Sequence, residues 1–389
     1  MSRLRSTPAR VLFYVQHLLG VGHLRRAALL CEALVEAGLD VHMILGGEPV
    51  PSIRFAGAQC HYLNALRVQD ADFATLVDTA GNPLDDNMRH QRRDQLLALA
   101  AQIQPDAIIT ELFPFGRRQM RFELRPLLDW ARRQPKPPRL ICSLRDIVQQ
   151  RSPERERETL GLIDKHYHRI WAHGDARFAP LDASYQLTPE LGERLHYTGY
   201  IAPRAPAPRP RQGVIVSAGG GAVGLRLLQA AICAHRDGLL PGRPWTLIAG
   251  PNLPQGDFER LQQSLHAPEL QLMRFCDDFV SRLAGAELSI SQAGYNTVMD
   301  LLVSQVPAVV VPYIGSGETE QISRARHLAE AGRVSIADEA DLCADSLRHA
   351  AHQALSRTDH AHSNPAPLRL DGAQNAAADL LRLLSGQAA

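Results

Sequence analysis

The chain has 389 residues, 45% of them hydrophobic, with 42 basic against 41 acidic side chains and a net charge of +1. That length exceeds one ordinary core and implies two or three domains, read here as two, while the charge balance excludes a disordered chain and a general nucleic-acid surface, leaving a small or lipid-like partner. Six cysteines without a CxxC pair read as reduced, packed thiols in a cytoplasmic protein with no metal site, and no segment is apolar enough to be a signal peptide or to span a bilayer.

Val11-Leu-Phe-Tyr-Val15 is a β-rich run entering the glycine turn Gln16-His-Leu-Leu-Gly20-Val-Gly22-His23. Leu24, Ala27, Ala28, Cys31, Leu34 and Val35 then recur at helical spacing until Gly38, and Val41-His-Met-Ile-Leu45 makes the next strand. This is a βαβ unit of Rossmann type. Arg25 stands where the third glycine of a dinucleotide GxGxxG would be, so NAD is set aside. Residues 64–93 are polar, with a turn at Gly81-Asn-Pro83, and predict a long loop or mobile excursion of the kind that shapes an acceptor site. A helix through Leu96, Leu97, Ala100 and Ile103 leads to a strand ending at Glu111. The following strands end at Ser143-Leu-Arg145-Asp146 and at His173. Glu111, Arg145 and Asp146 therefore share one sheet edge, as acceptor contacts or as ordinary ion-paired edge residues.

The stretch YTGYIAPRAPAPRPRQG, residues 197–213, is proline-rich and marks a stiff connector. It divides the chain into an N-terminal domain 1–198, a linker 199–213, a C-terminal domain 214–371 and a last helix 372–389 packing back on the first domain. Val214-Ile-Val-Ser217 opens the second domain and runs into Gly219-Gly220-Gly221, so strand, glycine turn and helix begin again. Further on, Ser291-Gln-Ala-Gly294 ends a strand, Asn296 or Thr297 can cap the helix that follows, and Asp300 lies one turn in. Val306-Pro-Ala-Val-Val-Val311 reads as a buried strand, and a polar loop then leads to Glu320-Gln321 at the next helix start. The expected architecture is α/β, with two doubly wound Rossmann-like domains facing one another across a cleft.

With these motifs the chain resembles glycosyltransferases of the GT-B fold, specifically family 28, which includes undecaprenyl-linked N-acetylglucosamine transferases. The resemblance is strong from Thr198 onward and confined to the glycine turn before it. It implies that Asp300 grips the ribose hydroxyls, where the family usually has glutamate, and that Glu320 and Gln321 contact the donor sugar. It likewise implies that Gly219, Gly220 and Gly221 form the diphosphate-side loop, that Arg204 meets the diphosphate, and that Phe275-Cys276 holds the base through backbone groups. Gly20-Val-Gly22-His23-Leu-Arg-Arg26 also fits GxGHxxR, which is similar to a sugar-nucleotide hydrolase of the pseudaminic-acid pathway. In both relatives the histidine lies near the anomeric carbon, which implies His23 as a general base, with Gly20 and Gly22 shaping the donor side.

The activity so implied is inverting, metal-independent and cofactor-free transfer of a sugar from a UDP-sugar or other nucleotide-diphosphate sugar. The acceptor is a sugar, a lipid-linked molecule or another small molecule, and peripheral contact with the inner membrane face is open through Arg3, Arg5 and Arg10. The alternatives are hydrolysis by a His23-activated water and a nucleotide-sugar-binding protein without catalysis. Each residue also has a plainer reading. The glycines permit tight turns, His23 caps a helix, Asp300, Glu320 and Gln321 suit helix starts, and Arg204 is a solvated linker cation.

Overall fold

An unbroken apolar run offers water no polar face, so it becomes a strand covered on both sides of a parallel sheet. β1 (Arg10–Val15), β2 (Asp40–Leu45) and β6 (Ala107–Glu111) are largely apolar and buried along nearly their whole length. This computed structural model describes residues 7–18, 21–68, 75–220, 224–315, 320–359 and 367–386. The chain forms two units, residues 1–201 with 369–389, and residues 202–368.

In the first unit α1 (Gly22–Glu36) joins β1 to β2 and stops at Gly38, whose φ of 82° lies in the left-handed region open to glycine. β3 (Gln59–Tyr62) follows, then β4 (Arg67–Val68) and β5 (Leu76–Val77), which pair as a small antiparallel ribbon. α2 (Asp86–Ile103) precedes β6, and α3 (Arg121–Arg132), β7 (Arg139–Arg145), α4 (Pro153–His166), β8 (Arg169–His173) and β9 (Leu195–Tyr197) complete the series. The sheet order is β3-β2-β1-β6-β7-β8-β9, all parallel. The order reverses between β1 and β6, so the loops leaving these two strands depart to opposite sides and leave a crevice at their C-terminal ends.

The polar stretch 64–93 is not one long loop. α2 begins at Asp86, capped by the Asp85 side chain, which accepts from the Met88 N–H at 2.7 Å. Its first turns lack an apolar stripe because their inward anchor is a cation. Arg92 is buried, donates to Glu123 of α3 at 2.6 Å, to Gln16 Oε1 at 2.6 Å and to the Gly46 carbonyl at 2.9 Å, and Tyr14 donates to the same Glu123.

The second unit repeats the plan with β10 (Val214–Ser217), α5 (Leu225–Arg236), β11 (Trp245–Ile248), α6 (Gln255–Gln263), β12 (Leu270–Met273), α7 (Phe279–Ala284) and β13 (Leu288–Gln292). α8 (Tyr295–Ser304), β14 (Ala308–Val311), α9 (Glu320–Glu330), β15 (Ser335–Ile336) and α10 (Ala344–Asp359) follow. Its parallel sheet runs β12-β11-β10-β13-β14-β15, reversing between β10 and β13. The proline-rich run from Ala202 belongs to this unit, tied to it by Arg211 Nη2 on the Gln305 carbonyl at 2.6 Å and by the Gln212 N–H on that of Gly285 at 2.7 Å.

α11 (Gly372–Ser385) returns to the first unit, where Ala373, Ala376, Ala377 and Leu380 share a core cluster with Leu24, Ala27, Leu30 and Leu34 of α1. Buried Asp379 accepts from Trp171 Nε1 at 2.8 Å and pairs with Arg169 at 3.2 Å. At Gly372 any side chain is barred, because a Cβ would lie 2.2 Å from the Gly199 carbonyl oxygen.

Arg92→Met leaves Glu123 as a buried unpaired charge and is expected to destabilise the first unit by about 3–5 kcal/mol, whereas Arg92→Met with Glu123→Met loses less. Urea denaturation of the three proteins checks this, and equal losses in the single and double variants would contradict it.

Candidate functional site

The switch point of the first sheet gathers a buried charged cluster. His23 lies in the first turn of α1 and is not its N-cap, which is Val21, a residue that makes no side-chain cap hydrogen bond. Its Nδ1 instead lies 3.1 Å from Glu111 Oε1 at the end of β6, with the imidazole 18% exposed and the carboxylate fully buried. Arg26, one turn further along α1, forms an ion pair with the same Glu111 oxygen. Ser143, paired with Glu111 in the β6–β7 ladder, donates to Glu111 Oε2 at 2.6 Å and lies 3.0 Å from His173 Nε2 at the end of β8.

Charge logic fixes the protons. Burial would raise the Glu111 carboxyl, but Arg26 and the hydrogen bonds of His23 and Ser143 hold it well below the ordinary carboxylate range. Burial and the nearby Arg117 guanidinium lower His23 to about 3, against the opposing pull of Glu111. The pair is therefore a carboxylate beside a neutral imidazole. Glu111 only accepts, so a hydrogen on Nδ1 points to its Oε1 and Nε2 keeps a lone pair able to take a proton; Arg26 Nη2, itself a donor 3.1 Å from the same Nδ1, is directed to that carboxylate oxygen. Arg117, at a φ of 56°, adds a cation that burial lowers to about 10. Arg145 closes β7 and buried Asp146 follows it.

The second switch point is built from backbone. Gly219 follows β10 with a φ of 71°, its N–H donating to Ser217 Oγ at 3.3 Å, and the Gly220 carbonyl accepts from Asn252 Nδ2 at 2.6 Å. A Cβ at Gly219 would stand 3.6 Å from Gln292 Oε1 at the end of β13. Gly221, like Gly20 in the first unit, lies outside the described residues, whereas Gly22 opens α1. α8 starts at an N-cap of Gly294 with no side-chain hydrogen bond, so neither Asn296 nor Thr297 caps it; both fall inside the helix, past the position from which a side chain reaches the first amides.

Asp300 is the sixth residue of α8 and only 1% exposed, and Glu320, the first residue of α9, is also buried. Arg324 of α9 stacks over the Tyr295 ring at 5.3 Å, joining the two helices, and Gln321 Oε1 accepts from the Tyr313 N–H at 3.2 Å, holding the loop after β14. Phe275 and Cys276 follow β12, separated from β10 by β11. Phe275 is 53% exposed, and the Cys276 thiol lies 3.2 Å from Asp278 Oδ1. Arg204 is exposed in the proline-rich run. No group of three or more His, Cys, Asp or Glu suited to a metal occurs among the described residues.

The structure thus joins His23 and the motif's Arg26 to Glu111, and adds Arg117, Ser143, His173, Asn252 and Gln292, which the motifs alone did not single out. Arg26 was visible as the residue three past His23 on one helix face. Ser143 and His173 were visible as polar strand ends.

Both units have the strand order of a doubly wound Rossmann sheet, and the whole chain follows the GT-B fold. CalG4, the calicheamicin glycosyltransferase, superposes with a TM-score of 0.64 at 14% identity, over 98% of this chain and 99% of its own. MurG of Acinetobacter baumannii gives 0.59 at 14% identity, over 97% of this chain and 100% of its own. Residues 244–380 match the glycosyltransferase family 28 C-terminal domain. The UDP-N-acetylglucosamine–N-acetylmuramyl-(pentapeptide) pyrophosphoryl-undecaprenol N-acetylglucosamine transferase of Anaeromyxobacter sp. (strain Fw109-5) is 29% identical over 164 residues, 41% of this chain and 42% of that protein. The chain therefore aligns with less than half the length of this curated relative.

His23 and His173 are both held near 3, against 6.5 for a free histidine. The unfolded chain binds more protons than the folded one between these values, so stability is retained above about pH 6.5 and falls as the pH drops below it. Each histidine contributes a slope of up to ~1.4 kcal/mol per pH unit. Urea midpoints measured from pH 8 to pH 4 check this; a flat profile would contradict it.

Proposed function

We propose that the protein is an inverting glycosyltransferase that moves a sugar from a nucleotide-diphosphate sugar to an acceptor hydroxyl, with His23 as the general base. The observation that carries this reading is the buried His23–Glu111 pair, a neutral imidazole whose Nδ1–H is committed to a carboxylate. In the step, the acceptor O–H proton passes to His23 Nε2 while the acceptor oxygen bonds to the anomeric carbon. The bond from that carbon to the diphosphate oxygen breaks, its electron pair leaving with the diphosphate.

The donor class is supported by the family 28 match over residues 244–380 and by the backbone character of the second switch point. The start of α8, whose N-cap glycine brings no side chain, and the bare Gly219–Gly220 turn suit a diphosphate, whose developing charge they would stabilise together with Arg204 and without requiring a metal. Asp300, Glu320 and Gln321 are proposed on the ribose and sugar side, and Phe275-Cys276 on the base. UDP is the proposed nucleotide because the relative is named for a UDP-sugar. That relative's acceptor is lipid-linked, and for this chain a lipid-linked acceptor at the inner membrane face is proposed alongside soluble ones. Among the described residues no helix is long and apolar enough to cross a membrane.

A second reading, hydrolysis, rests on His23 and Arg26 of the GxGHxxR motif meeting on one carboxylate. Water would then replace the acceptor on the same base. Incubation of a nucleotide-sugar panel without acceptor separates the two, since rapid stoichiometric release of free sugar would sink the transferase reading.

His23→Ala is expected to lower turnover by about 10²–10⁴-fold, with donor affinity by calorimetry close to wild type. Equal losses of binding and turnover would make His23 structural. Since the folded imidazole is lowered to about 3, kcat/KM should show no loss from histidine protonation between pH 7 and pH 5, and an acid limb near 6.5 would contradict this. Exhaustive chelation should leave turnover unchanged, as a metal-independent step requires.

A further inference from the structure

Glu111 faces His23 with one oxygen and the interior with the other, and the interior side continues. Ser143 Oγ lies 2.6 Å from Glu111 Oε2, His173 Nε2 lies 3.0 Å from Ser143 Oγ, and Thr198 Oγ1 lies 2.9 Å from His173 Nδ1. Beyond Thr198, its carbonyl accepts from Asn375 Nδ2 of α11 at 2.8 Å. All four side chains are buried, and they come from the ends of adjacent strands β6, β7 and β8 and from the residue following β9.

The direction of the hydrogens from His173 to Glu111 follows from counting. An ionised carboxylate only accepts, so the single Ser143 proton points to Glu111. Ser143 Oγ is then an acceptor for His173 and requires a hydrogen on Nε2. His173 is buried and neutral, so its Nδ1 carries a lone pair toward the Thr198 hydroxyl at 2.9 Å, whose proton also has the Gly199 carbonyl as an acceptor at 2.9 Å. The donors therefore point the same way from His173 through Ser143 to Glu111.

We infer that Ser143 and His173 are positioning residues for His23, acting through Glu111: the directed chain fixes the carboxylate's rotation so that Oε1 holds the Nδ1–H form of His23. This rests on the reading of His23 as base only for its effect on turnover. The arrangement needs no ligand and is present in the protein alone. Satisfying buried polar groups would by itself explain hydrogen bonds to Ser143 and His173, but it predicts no influence on which nitrogen of His23 carries the proton.

Long-range ¹H–¹⁵N NMR of the full chain at pH 7 reads the tautomers directly. Wild type should show His23 wholly as Nδ1–H and His173 as Nε2–H. Ser143→Ala should admit the Nε2–H form of His23 and lower turnover by about tenfold or more, with donor KM unchanged, and Ser143→Thr, which keeps the hydroxyl, should recover both. A folded Ser143→Ala protein with the wild-type His23 tautomer would overturn the inference. A shifted tautomer with unaltered turnover would uphold the chain and sink His23 as base instead. Should Ser143→Ala fail to fold, Thr198→Val preserves shape and removes only the far hydroxyl: His173 should stay Nε2–H, held from the Ser143 side, and His173 found as Nδ1–H would overturn the chain.

Discussion

A carboxylate removed from water must be met by donors on both oxygens or it will not stay ionised, and Glu111 is met by three. The His23 ring and the Arg26 guanidinium come from α1, and the Ser143 hydroxyl from β7. One buried charge therefore requires β1, α1, β6 and β7 to hold their register together, because each donor reaches Glu111 only if its element ends where it does. Arg26 keeps the carboxylate ionised, and the carboxylate in turn gives the imbalanced cluster of Arg26, Arg117 and Arg145 its counter-charge. Among the three donors to Glu111, His23 is the one partly open to solvent.

The two units use one strand order for different chemistry. In the first, the reversal between β1 and β6 is filled by titratable side chains whose protons are placed by burial and pairing. In the second, the reversal between β10 and β13 presents backbone, namely a glycine in the left-handed region and a helix start with no side-chain cap. Side chains can be tuned to move a proton, while amides carry fixed dipoles that neither titrate nor reorient. The first crevice is thus made of titratable side chains and the second of fixed backbone dipoles.

The fold was largely legible because buried parallel strands are written as short apolar runs, and Val11-Leu-Phe-Tyr-Val15 and Val214-Ile-Val-Ser217 each precede a glycine turn and a helix. The pattern failed at residues 64–93, where α2 is anchored by Arg92 in place of a leucine, and polar spacing cannot distinguish an inward cation from a solvated one. His23 was legible from its motif. Its partner was not, since Glu111 is 88 residues away and only strand register brings it near. Asp300 and Glu320 illustrate the same gap: both were readable as polar residues at helix starts, and only packing reveals that both are buried.

α11 supplies Ala373, Ala376, Ala377 and Leu380 to the core built on α1, and Asp379 to Trp171 and Arg169. A ribosome makes these residues after every residue of the second unit. During synthesis the second unit can close its core while the first still exposes the apolar side of α1, so the unit begun first is finished second. The order of maturation is thereby the reverse of the order of translation, and a nascent chain stalled before Gly372 carries one completed sheet and one awaiting its final helix.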